Sequence, residues 1–430
     1  MSNWRRWIKG NGVAGEAATL MGGTVAAQAI ALLAYLVLTR LYTPEDFALF
    51  NIFYSYIEVL IIVSTCKYEL ATVVAKDPAE GAAVARFALR MNTWVSLLLL
   101  AGATVLYMTH SLPGNYAELG AVALLVPPMV WLCGSSRIYA GLYNRVRRYK
   151  VMAASEVTNS GTGAMMKVLL GVLEWRQVGL PLGTILGQAA ANMVYRLRMH
   201  SLQLPKTTRA QRKAAAWEYK NYPLYVAPKE FINSLSANLP FLWLAFYFDK
   251  AEVGLFGLAL TMTFRPANIL HRTLESVLYA RASEKVRAGE SIARLTGRSL
   301  LAVNAAALPV CVVGWFVAEP VFTFLFGPKW EGCGVYVQAL LPWIFLSLNA
   351  TPLTFLSNIF NKQRTEFLFY IGLLALRAGA IAVGIHVGDF LTAVRLYAGV
   401  SALTMLALAV WYAALVRRYE TSVKQRFSQR

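Results

Sequence analysis

The chain has 430 residues, 57% of them hydrophobic and 15% charged, with a mean hydropathy of +0.48. Soluble domains run at about 45–50% apolar even with Gly counted, so a soluble enzyme or binding module is excluded. The formal net charge is +19; beside apolar spans of membrane length, it points to loops lying on anionic lipid and not to nucleic acid.

At the amino end, Trp4-Arg-Arg-Trp-Ile-Lys9 looks like the charged region of a signal peptide. The apolar run behind it is too long for one, and no small-residue cleavage site precedes Arg40, so an uncleaved first helix is expected, with the tryptophans at headgroup depth. Apolar spans then follow at roughly 17–39, 47–71, 84–108, 117–139, 151–173, 178–195, 222–247, 253–279, 299–318, 335–359, 367–386 and 390–416. Roughly 20 such residues cross about 30 Å of hydrocarbon as a helix. The sequence therefore predicts an all-α integral membrane protein of about twelve transmembrane helices, with both termini on one side. Between the first two spans, Pro44 and Glu45-Asp46 suit the start of a new helix after a tight turn.

Arg40-Leu-Tyr-Thr-Pro-Glu-Asp-Phe47, followed by Lys67-Tyr-Glu-Leu-Ala71, resembles the amino-terminal signature of the bacterial polysaccharide transport family. These are O-antigen and exopolysaccharide lipid flippases of the multidrug/oligosaccharidyl-lipid/polysaccharide exporter superfamily. The segments Tyr222-Pro-Leu-Tyr-Val-Ala-Pro-Lys-Glu230 and Leu325-Phe-Gly-Pro-Lys-Trp330 are similar to that family too, so the resemblance spans most of the chain. It implies a transporter and not an enzyme, no cofactor, and a cavity between two lobes that rock in alternating access. The implied partners are a polyprenyl-diphosphate-linked glycan, membrane lipid and polysaccharide assembly proteins. The implied location is the bacterial cytoplasmic (inner) membrane.

Charge sets the topology. One alternating set of segments holds about 29 Lys and Arg, among them Arg86, Arg90, Arg145, Arg196, Arg209, Arg212 and Arg417; the opposite set holds about five and most of the loop acids. By the positive-inside rule both termini are cytoplasmic. The strongly basic connection from Arg196 to Asn221 is the longest, and a surface helix is expected around Lys206–Tyr219. It reads first as a lipid-facing topology determinant.

That connection lies at the midpoint, and the two sides resemble each other. Leu41-Tyr42 to Phe47-Ala-Leu-Phe50 pairs with Tyr247-Phe248 to Val253-Gly-Leu-Phe256, and Tyr143-Asn-Arg-Val-Arg147 pairs with Phe360-Asn-Lys-Gln-Arg364. The expected organisation is two six-helix lobes, 1–200 and 222–430, joined by a basic linker at 201–221 and related by a parallel pseudo-two-fold repeat.

Each charge inside a span costs at least ~2.5–3.5 kcal/mol on insertion scales and needs a reason. The cations are Lys67, Arg137, Lys167, Lys229, Arg265, Arg272 and Arg377; the acids are Glu58, Glu69, Glu156, Glu230 and Glu275. At about 1.5 Å rise per residue, Arg265 and Arg377 lie near the midplane, as does Glu58. A diphosphate suits the bidentate fork of arginine. Arg265 and Arg377 are therefore the expected substrate-binding residues, with Lys67 and Arg272 supporting them, and Glu58 is the candidate ion-coupling acid. Structural alternatives stand beside these: Lys67 and Glu69 stabilising a helix end, Arg272 pairing with Glu275, and Arg265 or Arg377 pairing with an acid such as Glu58. Lys167 reads as interfacial.

Gly179, Gly183 and Gly187 form a small-residue ladder for close helix packing. Pro127-Pro128, Pro223, Pro228, Pro240 and Pro342 read as kinks. The four cysteines and four histidines show no metal-ligand spacing, and no phosphate-binding loop is present. Two other functions remain open. A cation or drug antiporter of the same superfamily would favour an acidic cavity, whereas here intramembrane cations outnumber acids. A membrane glycan polymerase or ligase would be expected to carry a sizeable external loop, and none exceeds about 15 residues.

Overall fold

The computed structural model describes residues 12–428, so the Trp4–Lys9 segment lies outside the described residues. All regular elements among those residues are helical. The long helices are α1 (Gly12–Leu41), α2 (Pro44–Thr65), α3 (Pro78–Met108), α4 (Val126–Arg145), α5 (Tyr149–Val172) and α6 (Arg176–Arg198). They continue with α7 (Ala227–Tyr247), α8 (Lys250–Arg287), α9 (Ala293–Phe326), α10 (Cys333–Ala350), α11 (Gln363–Val387) and α12 (Phe390–Ser428). Nine stretches among the described residues are long and apolar enough to cross a membrane. The more polar α5, α6 and α7 have the length, at 24, 23 and 21 residues, and with them the twelve expected spans are accounted for. Large apolar side chains such as Phe316 (76% exposed) and Phe324 (81% exposed) face outward, as a surface solvated by acyl chains requires.

The α1–α2 turn is fixed by reciprocal capping: Thr43 N–H donates to Asp46 Oδ2 at 2.9 Å, and Asp46 N–H to Thr43 Oγ1 at 3.4 Å. Pro44 sits in the first helical turn, where its missing N–H costs nothing. Tyr42 beside it is fully buried, and its hydroxyl donates to the Lys167 carbonyl at 2.7 Å, tying the turn to α5. On α6 the glycine ladder meets α5 closely. A Cβ on Gly187 would stand 2.6 Å from the Asn159 carbonyl oxygen and 2.8 Å from Gly163 Cα, so only hydrogen fits there.

Three spans differ from their expected outline. The second is broken: α2 ends at Thr65, Cys66 and Lys67 take left-handed backbone at φ 45° and 60°, and a short helix resumes over Tyr68–Val74. The Ser64 and Thr65 hydroxyls both donate back to the Ile61 carbonyl, occupying an acceptor of the last turn. Pro127 and Pro128 do not kink a helix but open α4, after a 3₁₀ turn at Gly120–Leu125. The tenth span stops at Ala350, because Pro352 lacks the amide a further turn needs, and resumes over Phe355–Ile359. Pro223 instead falls in a widened π turn, Tyr222–Val226.

The basic connection is folded onto its neighbours. A helix forms over Arg209–Glu218, its start fixed by a Thr208–Gln211 capping box. Ala215 and Ala216 are buried against Tyr68 and the first turns of α3. Tyr68 donates to the Ala216 carbonyl at 3.0 Å, and Arg86 donates to the Pro205 carbonyl and to Thr207 Oγ1. By contacts the chain forms two compact units, Met1–Phe246 and Tyr247–Arg430. The division falls at Phe246 and not in the 201–221 linker, so α7 belongs with the first unit: Ser234 Oγ on α7 donates to the Glu58 carbonyl at 3.0 Å.

Lys76 Nζ clamps the surface helix through Glu218 at 2.7 Å. The hydrogen bond and charge of Lys76 hold the Glu218 carboxyl below its usual value, and Glu218 raises the Lys76 ammonium in return. A lowered acid contributes stability above its unfolded value and loses it as pH falls through the folded one. A raised base contributes below its unfolded value and loses it as pH rises through the folded one. Amide protection over 209–218, taken relative to the intrinsic exchange rate at each pH, is therefore expected to stay level across neutral pH and to fall only at the acid and alkaline ends. Lys76→Ala should lower it at pH 7; unchanged protection in that variant would rule out the clamp.

Candidate functional site

In the first unit the intramembrane charges meet one another. The left-handed break at Cys66–Lys67 turns the Lys67 ammonium inward, where it is 12% exposed, 3.6 Å from Glu230 Oε2 of α7 and 3.9 Å from Glu69 Oε1. Glu69 is itself buried, and its Oε2 has no hydrogen-bond partner. Nearby, Arg137 Nη2 of α4 reaches Glu58 Oε2 of α2 at 3.3 Å. Glu58 is therefore the partner of Arg137. The resulting group of Glu58, Glu69, Glu230, Lys67 and Arg137 places three carboxylates against two cations. Sequence depth identified its members but not the unpartnered oxygen of Glu69, because partner geometry depends on where α2 breaks. Lys167, read as interfacial, holds its ammonium 5.1 Å from the centre of the Phe50 ring.

In the second unit the cations are distributed differently. Arg377 on α11 is only 3% exposed. Its Nε donates to Ser401 Oγ of α12 at 2.8 Å, and its guanidinium lies 4.9 Å from the Trp343 ring and 4.7 Å from the Tyr397 ring. This cage of α10 and α12 aromatics replaces water with ring faces and one hydroxyl. The Phe264 ring meets the same Trp343 at a tilt of 53° with centroids 4.3 Å apart, so the helix turn of α8 that carries Arg265 packs beside the cage. Arg265 is half-buried and precedes Pro266. Two turns on, Arg272 is exposed and has no carboxylate partner among the described residues. Glu275, its expected partner, instead accepts from Thr354 Oγ1 at 2.8 Å. The structure thus brings Lys67 to acids and Arg377 to aromatics, and leaves Arg272 at the surface. Among the described residues no cluster of His, Cys, Asp and Glu could hold a metal ion.

A family-wide sequence model described as "Polysaccharide biosynthesis protein" matches residues 37–335. Among solved structures, a lipid II flippase, MurJ, in an inward closed conformation superposes with a TM-score of 0.73 at 11% identity, covering 95% of this chain and 92% of that one. An inward-facing multidrug resistance MATE family transporter of the MOP superfamily gives 0.69 at 15% identity, covering 92% and 96%. A MOP superfamily transporter from Pyrococcus furiosus, described as having a binding pocket of reverse polarity, gives 0.68 at 13%, covering 96% and 98%. The fold is that of these membrane transporters. No curated protein matches the chain.

The Glu58–Arg137 contact predicts coupling between the two positions. Arg137→Ala alone strands Glu58 inside the helix bundle and should lower the melting temperature more than the double change Glu58→Gln with Arg137→Ala. The expected interaction energy is on the order of 0.5–3 kcal/mol, as for residues in contact. Additive losses in a thermal-melting cycle would remove the pair from the account.

Proposed function

We propose that this chain, which belongs to the family of polysaccharide biosynthesis proteins, carries a polyprenyl-diphosphate-linked oligosaccharide across a bacterial cytoplasmic membrane. The cargo is an O-antigen or exopolysaccharide repeat unit, moved from the cytoplasmic to the outer leaflet by alternating access. Both termini are cytoplasmic, as the bias of about 29 to five basic residues requires. A transporter, and not an enzyme, is the reading that the shared fold supports.

One observation carries the substrate class. Among the intramembrane cations, Lys67 and Arg137 of the first unit lie against carboxylates, whereas Arg272 on α8 of the second unit is exposed and has no carboxylate partner among the described residues. A hydrated diphosphate needs such uncancelled positive charge, and the planar guanidinium can bind it through two parallel hydrogen bonds. A cationic drug would need the opposite balance. Arg265 and Arg272 contact the diphosphate. Arg377, sealed in its cage, holds Trp343, whose ring meets that of Phe264, the neighbour of Arg265.

Arg265→Ala and Arg272→Ala are each expected to cut delivery of lipid-linked glycan to the outer leaflet at least tenfold at normal protein levels. Arg377→Ala should reduce the amount of folded protein first. Near-normal delivery in both Arg265→Ala and Arg272→Ala would reject the assignment.

Coupling follows from the acid group of the first unit. Glu58 is engaged by Arg137, while Glu69 keeps one buried oxygen without a hydrogen-bond partner, and a buried polar atom left so is costly. We assign the coupling proton to Glu69, with Glu58 completing the group. Glu69→Gln in vesicles should abolish the response of transport to an imposed proton gradient; a response equal to that of the parent protein rules the assignment out.

A further inference from the structure

The basic end of the first unit contains a cavity of about 650 Å³. Its floor is apolar, from Ala82, Ala85 and Leu89 of α3 and Leu142 of α4, and its rim carries Arg86, Arg196 and His200. The segment from Met199 closes one side: a 3₁₀ turn over Met199–Leu202 is capped by Gln203 in left-handed backbone at φ 44°, and Leu204 follows. Arg86 pins the chain just beyond it by donating to the carbonyls of Pro205 and Leu204 and to Thr207 Oγ1.

Arg196 is held in place rather than left to wave in solvent. Its Nε donates to the Tyr139 hydroxyl at 3.3 Å, and its guanidinium lies 5.5 Å from the centre of the Trp131 ring. Its two terminal nitrogens have no protein acceptor among the described residues. Around it the field is strongly positive. Loss of hydration and the neighbouring Arg90, Arg86 and Arg209 hold the Arg212 guanidinium below its usual value. None of Arg86, Arg90, Arg196, Arg209 and Arg212 pairs with a carboxylate among the described residues. A topology signal needs only charge near the membrane surface; it needs neither an oriented guanidinium nor an apolar floor.

We propose that this cavity binds the phosphate headgroup of a lipid. Arg196 and His200 act as its hydrogen-bond donors, Arg86 supplies field, and the alanine and leucine floor takes up the adjoining apolar chain. Oriented arginines over an apolar surface at the membrane boundary are the chemistry that recognises anionic amphiphiles. The lipid is either an anionic phospholipid of the leaflet or the phosphorylated lipid being carried. The site stands whichever cargo the chain transports.

The test uses the full-length protein in nanodiscs and native mass spectrometry, with phosphatidylglycerol, farnesyl diphosphate and inorganic diphosphate as separate probes. Three variants are compared: Arg196→Gln with His200→Gln, Ala85→Phe, which fills the floor at constant charge, and Arg417→Gln with Arg418→Gln, which lowers charge on the distant basic tail. Each must melt within a few degrees of the parent. The first two should lose at least tenfold in retention of one or both lipids, and the third should lose less than twofold. Loss of phosphatidylglycerol alone assigns the site to the leaflet, and loss of farnesyl diphosphate alone assigns it to the carried lipid. Equal loss in all three variants, no loss in Arg196→Gln with His200→Gln, or retention of inorganic diphosphate as strong as that of farnesyl diphosphate would overturn the proposal.

Discussion

A charge placed among membrane helices has few ways to survive, and this chain uses three of them. Lys67 and Arg137 are answered by carboxylates on neighbouring helices. Arg377 is wrapped by two aromatic rings and a serine hydroxyl. Arg272 stays at the surface, where hydration remains. The three solutions have different consequences. A paired charge is electrostatically spent, a caged one is fixed in position, and an exposed one is free to meet a ligand. Only the last kind can bind an anion without first giving up a partner.

The same economy shapes the basic end of the first unit. Arg86 contacts backbone carbonyls and a threonine, and Arg145 likewise caps the carbonyls of Val73 and Ala75. Cations that satisfy the ends of a broken helix leave its carbonyls neutralised and its position fixed. The linker helix therefore docks on α3 through Ala215 and Ala216 and acts as part of the first unit.

Much of this is legible in the residues, and the limits have physical causes. Apolar length fixes the spans, because the bilayer imposes one scale on all of them; α5, α6 and α7 are legible on the same ground, as apolar runs at 151–173, 178–195 and 222–247. Depth along a helix follows from the residue number, so Arg265 and Arg377 could be placed near the middle. The direction around the helix does not follow, and that direction separates the sealed Arg377 from the half-exposed Arg265. The break at Cys66–Lys67 was hidden for another reason. It uses left-handed backbone at two residues that are not glycine, at a cost recovered only through contacts with helices distant in sequence. Glycine spacing on α6 did reveal its packing, since steric exclusion of a Cβ is a local rule.

Fold alone leaves the transport readings together. Structures described as a multidrug transporter and as a lipid II flippase superpose on this chain about equally well, so helix arrangement does not select a cargo. Selection must come from which charges remain uncancelled. Here Lys67 and Arg137 of the first unit engage carboxylates, and one oxygen of Glu69 has no hydrogen-bond partner. On α8, Arg272 is exposed and has no carboxylate partner among the described residues. An exposed arginine without a carboxylate is chemistry that favours an anionic over a cationic cargo.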